Sequence, residues 1–390
     1  MKVLIVPKWY PWPDRPVWGL FCREQARVVA RTNEVVVLPS DAVHSPPFAA
    51  WDLEEDTAEE PRALRLRYRR PALRPAGMAL HVGGALAALR RLRREGFVPD
   101  VVHAHVYSAG LPALAVAKRA GAPLVVSEHY TGFQRGLITG ADRLTAEAAF
   151  RGADLVAPVS DELAARLRPL AGRTPMRVVP NPVDTDVFHP PEGPRPEGPP
   201  RLLCVAWLDA KKGHRFLLEA LAALGRHDVT LDLVGGGDLR PELEAEAARL
   251  GLSGRVSFLG PLPKEGVAEL MRRADLFVLP SLHENLPVVL AEAMASGLPA
   301  VATRVGGVEE VLDPDTGMLV PPRDPPALAG AIRESLERPR PDPAAPAARA
   351  RERFGYEALG RTWDEIYAEL VSSKAGSSSS RTTPASSSRR

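Results

Sequence analysis

The sequence predicts an α/β protein made of two doubly wound domains that face one another across a cleft. Three observations carry this. Short β-branched runs alternate with amphipathic helical patterns almost from end to end. Gly or Pro sits at most of the junctions between them. A single stretch from Pro190 to Pro200, nearly all Pro, Gly and charged residues, divides the chain into halves of about five strand–helix repeats each. Alternating strands and helices build parallel sheets, and such sheets bind ligands at the carboxyl ends of their strands.

Taken in order, strands are expected over residues 3–6, 35–38, 101–105, 124–127 and 155–159. After the break they are expected over 202–206, 230–234, 256–259, 276–279 and 300–303. Helical patterns lie between them, among others at 109–119, 161–170, 214–224 and 241–250. The first domain is placed at residues 1–185, a Pro/Gly-rich linker at 186–200 and the second domain at 201–353. Residues 354–370 carry Tyr356, Leu359, Trp363, Ile366 and Tyr367 at helical spacing and read as a packed helix. The last twenty residues, with nine Ser, are expected to be a disordered tail.

Composition narrows the function classes. The chain has 390 residues, 45% apolar and 25% charged, which suits a globular protein with a sizeable core. The net charge of +2 sits with the tail, which holds Lys374, Arg381, Arg389 and Arg390 and no acid. The rest is close to −2, so no nucleic-acid partner is expected. Cys22 and Cys204 cannot form a disulfide framework or a four-cysteine metal site, and they fit a reducing cytoplasm. The run from Val3 to Val6 is cut by Pro7, too short for a signal peptide, and no stretch has the length of a membrane span. A cytoplasmic protein is expected, with the inner membrane surface open as a place of work. Six acids between Asp52 and Glu60 precede ten arginines, with no acid among them, from Arg62 to Arg94. This block reads either as a solvated helix face with a polar loop or as a basic patch for peripheral contact with an anionic membrane.

The informative stretch runs from His283 to Gly297. Pro287 suits the first turn of a helix. Glu284 then lies in the loop before the helix, and Glu292 more than a turn inside it. The backbone N–H groups of Leu286, Val288 and Val289 would point out of the helix start, where an anion is favoured. Two carboxylates for hydroxyl groups and amides for a phosphate could come from this one segment. The plainer reading is one capping and one solvated glutamate.

This stretch has the E-x7-E wording of retaining glycosyltransferases and resembles glycosyltransferase family 4. The resemblance extends over roughly residues 1–370. Asp100-Val101-Val102-His103-Ala104-His105 resembles the family's first-domain strand. Val179-Pro180-Asn181-Pro182-Val183-Asp184 resembles its domain junction. Leu208-Asp209-Ala210-Lys211-Lys212-Gly213 is similar to the first loop of its second domain. Leu233 to Gly237, Val305 to Glu310 and Thr316 to Pro321 fit further family motifs. The resemblance implies a GT-B fold: two Rossmann-like domains, nucleotide-sugar held mainly by the second, and a last helix that crosses back to the first.

The same resemblance implies residue roles. Glu292 would bind the ribose hydroxyls and Glu284 the donor sugar, since a carboxylate accepts paired hydroxyl donors. Lys212 would hold the diphosphate, whose negative charge grows as it leaves. Asn285, Leu286, Pro287 and Val288 would line the donor with backbone. Gly306 and Gly307 would lie near it, and Glu310 less certainly so. Gly19 resembles the family's glycine loop, where a missing side chain allows close backbone approach. His129 would face the sugar. His129, Lys212 and Glu284 form the expected catalytic set.

Other features are weighed beside these. Trp207 stands where the family often has Arg, and an indole cannot replace a guanidinium at a diphosphate. Asp184-Thr185-Asp186 and Asp313-Pro314-Asp315 match the D-x-D wording of metal-dependent transferases in the wrong context. His103 and His105 have the spacing of a ligand pair without a third ligand. No metal and no cofactor are therefore expected. Pro7-Lys8-Trp9-Tyr10-Pro11 replaces any G-x-G-x-x-G after the first strand, against a nicotinamide dehydrogenase. Base recognition would fall to backbone around Gly260 and Pro261. The acceptor is expected on the first domain near Gly19, Trp9, Trp12, Trp18 and Tyr130, with Asp14 another candidate.

The expected function is transfer of a sugar, with retention, from a nucleotide-diphosphate donor to an acceptor hydroxyl. The acceptor would be a saccharide, a lipid-linked molecule or a small alcohol, in cell-surface polysaccharide or glycolipid synthesis. The rivals are a binding-only subunit of a polysaccharide assembly complex and a GT-B epimerase or phosphorylase.

Overall fold

The structure is a computed structural model. It describes residues 1–44, 50–193, 198–312, 314–339 and 342–379, with side chains described up to residue 376. The first domain runs β1 (Lys2–Pro7), α1 (Leu20–Ala30), β2 (Glu34–Val37), β3 (Ser40–Val43), β4 (Trp51–Asp56), β5 (Ala63–Arg69), α2 (Arg74–Arg94), β6 (Val101–His105), α3 (Tyr107–Ala120), β7 (Leu124–Glu128), α4 (Gly140–Gly152), β8 (Leu155–Pro158) and α5 (Asp161–Ala171). Its sheet has the order β3-β5-β2-β1-β6-β7-β8, and β4 joins β5. All pairings are parallel except β4 with β5.

The second domain runs β9 (Arg201–Val205), α6 (His214–Ala223), β10 (Thr230–Val234), α7 (Arg240–Arg249), β11 (Val256–Gly260), α8 (Lys264–Arg273), β12 (Leu276–Leu279), α9 (Val288–Ala295), β13 (Ala300–Thr303), β14 (Gly317–Val320), α10 (Pro325–Glu337) and α11 (Ala344–Phe354). Its six parallel strands have the order β11-β10-β9-β12-β13-β14. The order reverses beside β1 in one sheet and beside β9 in the other. Those reversals open crevices at the strand ends, where ligands bind in such folds.

Helices cover both faces of the central strands, so their side chains alternate between two layers of core rather than between core and water. Val3, Leu4, Ile5 and Val6 of β1 are fully buried. Val3 and Ile5 pack in a cluster with Cys22, Trp363 and Tyr367, while Leu4 and Val6 face Leu66, Leu89 and Val102. Trp363 and Tyr367 belong to α12 (Tyr356–Ser379), which follows the second domain yet lies on the first. The Trp363 indole donates to Gln25 Oε1 at 2.9 Å, which satisfies its buried N–H. Val183 N–H donates to Phe354 O at 2.8 Å, and Val183 bridges Gly355, so the outgoing and returning chain segments run side by side between the domains.

The structure corrects two expectations. Residues 371–379 continue α12 and are not a disordered tail at that point; 380–390 lie outside the described residues. Of the expected linker, residues 194–197 also lie outside them. The acidic and basic blocks are only in part a helix face and a loop: Arg74, Arg90, Arg91, Arg93 and Arg94 lie on α2, but most of the rest is strand. Residues 51–56 and 63–69 are antiparallel strands in which Asp52 opposes Arg67 and Glu54 opposes Arg65. Arg65 binds Asp56 at 2.6 Å, and Arg62 and Arg91 bind Glu55 and Glu95. Cross-strand and helix–strand pairing thus neutralises much of the run. Among the described residues, Arg69, Arg70, Arg90, Arg93 and Arg94 form no ion pair, and Arg93 donates instead to the Arg119 carbonyl.

Candidate active site

The carboxyl ends of both sheets meet at the cleft, and both domains supply charged groups to it, Glu24 and Asp184 from the first and Lys264 and Glu292 from the second. Lys212 ends a single 3-10 turn, Ala210–Lys212, after β9. The chain then reverses at Gly213, whose φ is 68°. A side chain there would meet the Pro280 carbonyl at 2.1 Å, so glycine is required where the loop crosses the end of β12. This crossing brings Lys212 Nζ to Glu284 Oε1 at 2.5 Å. Ser281 Oγ donates to the same oxygen at 2.7 Å. Both side chains are mostly enclosed, at 17% and 7% exposure.

Glu292 lies on α9, one turn past the uncapped helix start at Pro287. It lines a cavity of about 720 Å³ between the domains, with Val288, Pro261, Leu262, Lys264 and Glu24. Burial, helped by the nearby Glu24 charge and opposed by Lys264, pushes its carboxyl up to about 7. Gly260, beside this cavity, has φ 73°. Lys264 and Glu24 were not singled out from the sequence. Lys264 pairs with Asp184 and lies 4.0 Å from Glu24, which also accepts from the Tyr356 hydroxyl. No local pattern marks these residues, because they come from four separate segments.

The facing wall is built by the first domain. Glu128 is fully buried at the end of β7. Its carboxylate accepts from the N–H groups of Tyr107, His129 and Tyr130, each at 2.8 Å. It thereby fixes the turn that carries His129. His129 Nε2 lies 3.0 Å from His105 Nδ1, and its carbonyl accepts from Asn285 Nδ2 of the other domain at 2.7 Å. Burial pushes the His129 imidazole down to about 3, so it is neutral near pH 7. Its Nδ1 is enclosed. His103, His105 and His129 stack in series, and His103 joins Tyr367 Oη and Ser127 Oγ at 2.7 and 2.8 Å.

Residues 19–187 match the family described as Glycosyltransferase Family 4, and residues 199–338 match Glycosyl transferases group 1. A D-inositol 3-phosphate glycosyltransferase of Xylanimonas cellulosilytica is 31% identical over 327 residues, covering 76% of this chain and 78% of that one. The chain belongs to glycosyltransferase family 4. A glycogen synthase of Mycobacterium tuberculosis H37Rv is 34% identical over 267 residues, 65% of this chain. The chain spans 63% of that relative's length. The Anabaena protein Alr3699/HepE, solved in complex with UDP, superposes with a TM-score of 0.74 at 22% identity, over 95% of this chain and 100% of the other. The shared fold is GT-B.

Within this family 4 chain, several residues expected at the ligand also pack closely against protein. Gly19, with φ 69°, points its missing side chain at the Trp9 backbone, 2.3 Å from an added Cβ, not into open space. Gly306 points at the Glu284 carbonyl and Gly307 at the Asn285 carbonyl. Asn285 and Leu286 are buried. Glu310 accepts from backbone N–H groups of α5 in the first domain. Trp207 is 47% exposed, so it is not a core residue.

The expected aromatic acceptor group also divides. Trp9 packs edge-on to Tyr130 and Phe21, and Phe21 contacts the His129 ring at 4.8 Å. Phe21 was missed because a lone Phe in a helix reads as core. Trp12 is buried against the Arg65 guanidinium, 4.7 Å from its ring. Trp18 is 49% exposed. Asp14 is exposed and pairs with Arg15. Among the described residues, no three His, Cys, Asp or Glu side chains gather as metal ligands. Asp184 of the first D-x-D binds Lys264 and caps the Asp186 N–H. Asp313 lies outside the described residues. No described helix is long and apolar enough to cross a membrane.

Proposed function

We propose that the chain is a retaining, metal-independent glycosyltransferase that moves a sugar from a nucleotide-diphosphate donor to an acceptor hydroxyl. Two observations support this reading: the enclosed Lys212–Glu284 pair after strands β9 and β12, and Glu292 eight positions further on in the cavity between the domains. Glu292 in its cavity suits a ribose. Lys212 suits a diphosphate, and its partner Glu284 suits the hydroxyls of the adjoining sugar. When the sugar–phosphate bond breaks, charge grows on the departing phosphate, and a fixed ammonium stabilises that state more than the ground state.

No side chain is assigned as a strong base or nucleophile. Glu128, the carboxylate beside His129, has its oxygens committed to three backbone N–H groups. His129, neutral and joined to His105, serves as a wall of the sugar site and not as an acid. The acceptor proton then passes to the leaving phosphate on the same face of the sugar, which keeps the anomeric configuration. The protein contributes position, electrostatics and exclusion of water.

The relatives are named for glycogen and for D-inositol 3-phosphate, both carriers of acceptor hydroxyls. For this chain we infer a saccharide, lipid-linked or small-polyol acceptor, in polysaccharide or glycolipid synthesis. The place of work is the cytoplasm, where the buried thiols of Cys22 and Cys204 stay reduced. The five arginines outside the ion pairs are what remains to support a membrane-surface contact. A half-exposed Trp207 in place of a guanidinium favours one second reading, a nucleotide-sugar-binding subunit with little turnover.

The test is to incubate the protein with a panel of nucleotide-sugars and candidate acceptors, with and without EDTA. The expected result is acceptor-dependent release of nucleoside diphosphate, unaffected by EDTA, with a product anomeric proton whose coupling matches the donor's. Inverted configuration, or release that needs a divalent ion, would overturn the mechanism. Nucleotide binding without release on any acceptor would favour the binding subunit.

A further inference from the structure

The 3-10 segment Gly306–Glu310 after β13 holds the two domains together through contacts its sequence does not advertise. The Glu310 carboxylate reaches the start of α5 in the first domain. Oε2 accepts from Asp161 N–H at 2.9 Å and Oε1 from Glu162 N–H at 3.0 Å. These N–H groups have no partner within their own helix. Ser160 Oγ caps the next one, Leu163 N–H, at 3.1 Å. The helix therefore has one cap of its own and a two-pronged cap supplied by the other domain. An anionic carboxylate at a helix N-terminus is favoured by charge as well as by hydrogen bonding.

The same segment grips the donor loop. Gly307 N–H donates to the Asn285 carbonyl at 2.8 Å. An added Cβ on Gly306 would lie 1.7 Å from the Glu284 carbonyl oxygen and 2.5 Å from Gln134 Nε2. On Gly307 it would lie 2.1 Å from the Asn285 carbonyl and 2.9 Å from Ser160 Cβ. Gln134 of the first domain donates to the Glu284 carbonyl at 2.9 Å, and Asn285 donates to the His129 carbonyl. The backbone of Glu284 and Asn285 is thus clamped between the Gly306–Glu310 segment and the first domain.

We infer that Gly306, Gly307 and Glu310 form an interdomain latch, with Glu310 a positioning residue that couples domain closure to the placement of Glu284. The two glycines are there to let the donor loop and the first domain close on the segment. Closing the domains seats Glu310 on α5, and the same movement brings Gln134 onto the Glu284 carbonyl. Glu284 then holds Lys212 in place. The inference rests on the proposed transferase reading for its kinetic consequence, but not for its structural one.

The test compares wild type with Glu310→Ala, Glu310→Gln and the neighbouring control Glu309→Gln, whose parent residue pairs only with exposed Arg304. Solution scattering on the full chain reads closure, and nucleoside-diphosphate thermal shift reads the donor site. The latch predicts a larger radius of gyration for Glu310→Ala. It also predicts a fall in kcat of about tenfold or more, because both charge-assisted hydrogen bonds of the Glu310 carboxylate are lost, with nucleoside-diphosphate affinity little changed. Hydrolysis of the donor relative to transfer should rise as water enters. Glu310→Gln keeps one acceptor oxygen and should recover part of the loss, and Glu309→Gln should match wild type. Scattering and kcat both unchanged in Glu310→Ala would overturn the latch. An equal loss of nucleotide affinity and kcat would overturn it too, by making Glu310 a donor contact. Were wild type to release no nucleoside diphosphate, the transferase reading would fail while scattering still judged the latch.

Discussion

Lys212 Nζ lies 2.5 Å from Glu284 Oε1, and each is the other's counter-charge in a site that encloses both. A buried pair that loses one member leaves the other desolvated and unpaired, which costs about 3 kcal/mol. Glu284→Gln and Lys212→Met are therefore each expected to lower stability by about that amount. The double variant should lose less than the sum, a coupling that a double-mutant cycle by chemical denaturation reads directly. Additive losses would show that the two groups do not depend on one another. On activity, Lys212→Met should lower kcat by about a hundredfold or more, since it removes charge stabilisation of the leaving group.

Trp207 leaves room for improvement. It follows β9 and is 47% exposed, its ring edge close to Gly236. Replacement by Arg should cost little stability, because surface changes stay within about 0.5 kcal/mol. It should also tighten nucleoside-diphosphate affinity severalfold by adding a second cation near the diphosphate. Weaker binding in Trp207→Arg, measured by calorimetry, would mean that the indole itself contacts the nucleotide.

Gly19 supports the fold before it supports a ligand. With φ 69° and the Trp9 carbonyl carbon 2.3 Å from where a Cβ would sit, Gly19→Ala must displace the loop that carries Trp9. Thermal denaturation should show a marked loss of Tm, larger than for Gly77→Ala, where the nearest atom to an added Cβ is 3.5 Å away. A stable Gly19→Ala that has lost only donor affinity would restore the ligand role.

Buried ionisable groups give the protein a defined pH response. Burial holds His81, His103 and His129 down at about 3 and His214 at about 4, against 6.5 when exposed. Below 6.5 the unfolded chain binds protons that the folded chain refuses, so stability falls as pH drops toward those values. Glu128 and Glu292 act in the opposite sense. Raised to about 7 from 4.5, each carries a proton in the folded state that the unfolded chain has already lost. Their contribution is complete below 4.5 and is lost as pH rises through 7. Glu292→Gln never ionises, so its stability relative to wild type should increase between about pH 5 and about pH 8. A flat difference would show that Glu292 has an ordinary carboxyl.

The buried strands were legible because β-branched runs bounded by Gly and Pro admit few other readings. Residues 101–105, 230–234, 276–279 and 300–303 are strands as expected. The strands β3, β4, β5 and β14 were missed. In β5, Leu64, Leu66 and Tyr68 alternate with Arg65, Arg67 and Arg69, a period of two that the charge run concealed. Arg65 and Arg67 pair with Asp56 and Glu54 of the neighbouring strand, which a linear reading cannot foresee. The Ser-rich start of the tail is helical, because α12 was already propagating from Trp363 and Tyr367.

The site was legible where one segment carries it. Glu284 and Glu292 are eight positions apart, and the loop-then-helix reading of that stretch holds in the structure. What no segment carries was invisible: Gln134 on Glu284, Lys264 on Asp184, Glu310 on α5. These contacts span 150, 80 and 149 positions. The glycines are ambiguous for a related reason. A glycine signals that something comes close, but the sequence does not say whether it is a phosphate or the protein's own backbone.

The central claim is that Glu292 marks the ribose of a nucleotide-diphosphate donor, and thermal shift tests it most directly. Nucleotides and nucleotide-sugars would be screened against wild type and Glu292→Ala, with and without EDTA. A ligand at a hundred times its dissociation constant stabilises by about 2.7 kcal/mol, a readily seen change. The account predicts a clear shift with one base as its diphosphate, lost in Glu292→Ala and indifferent to EDTA. A shift retained in Glu292→Ala, or none with any nucleotide in wild type, would contradict it.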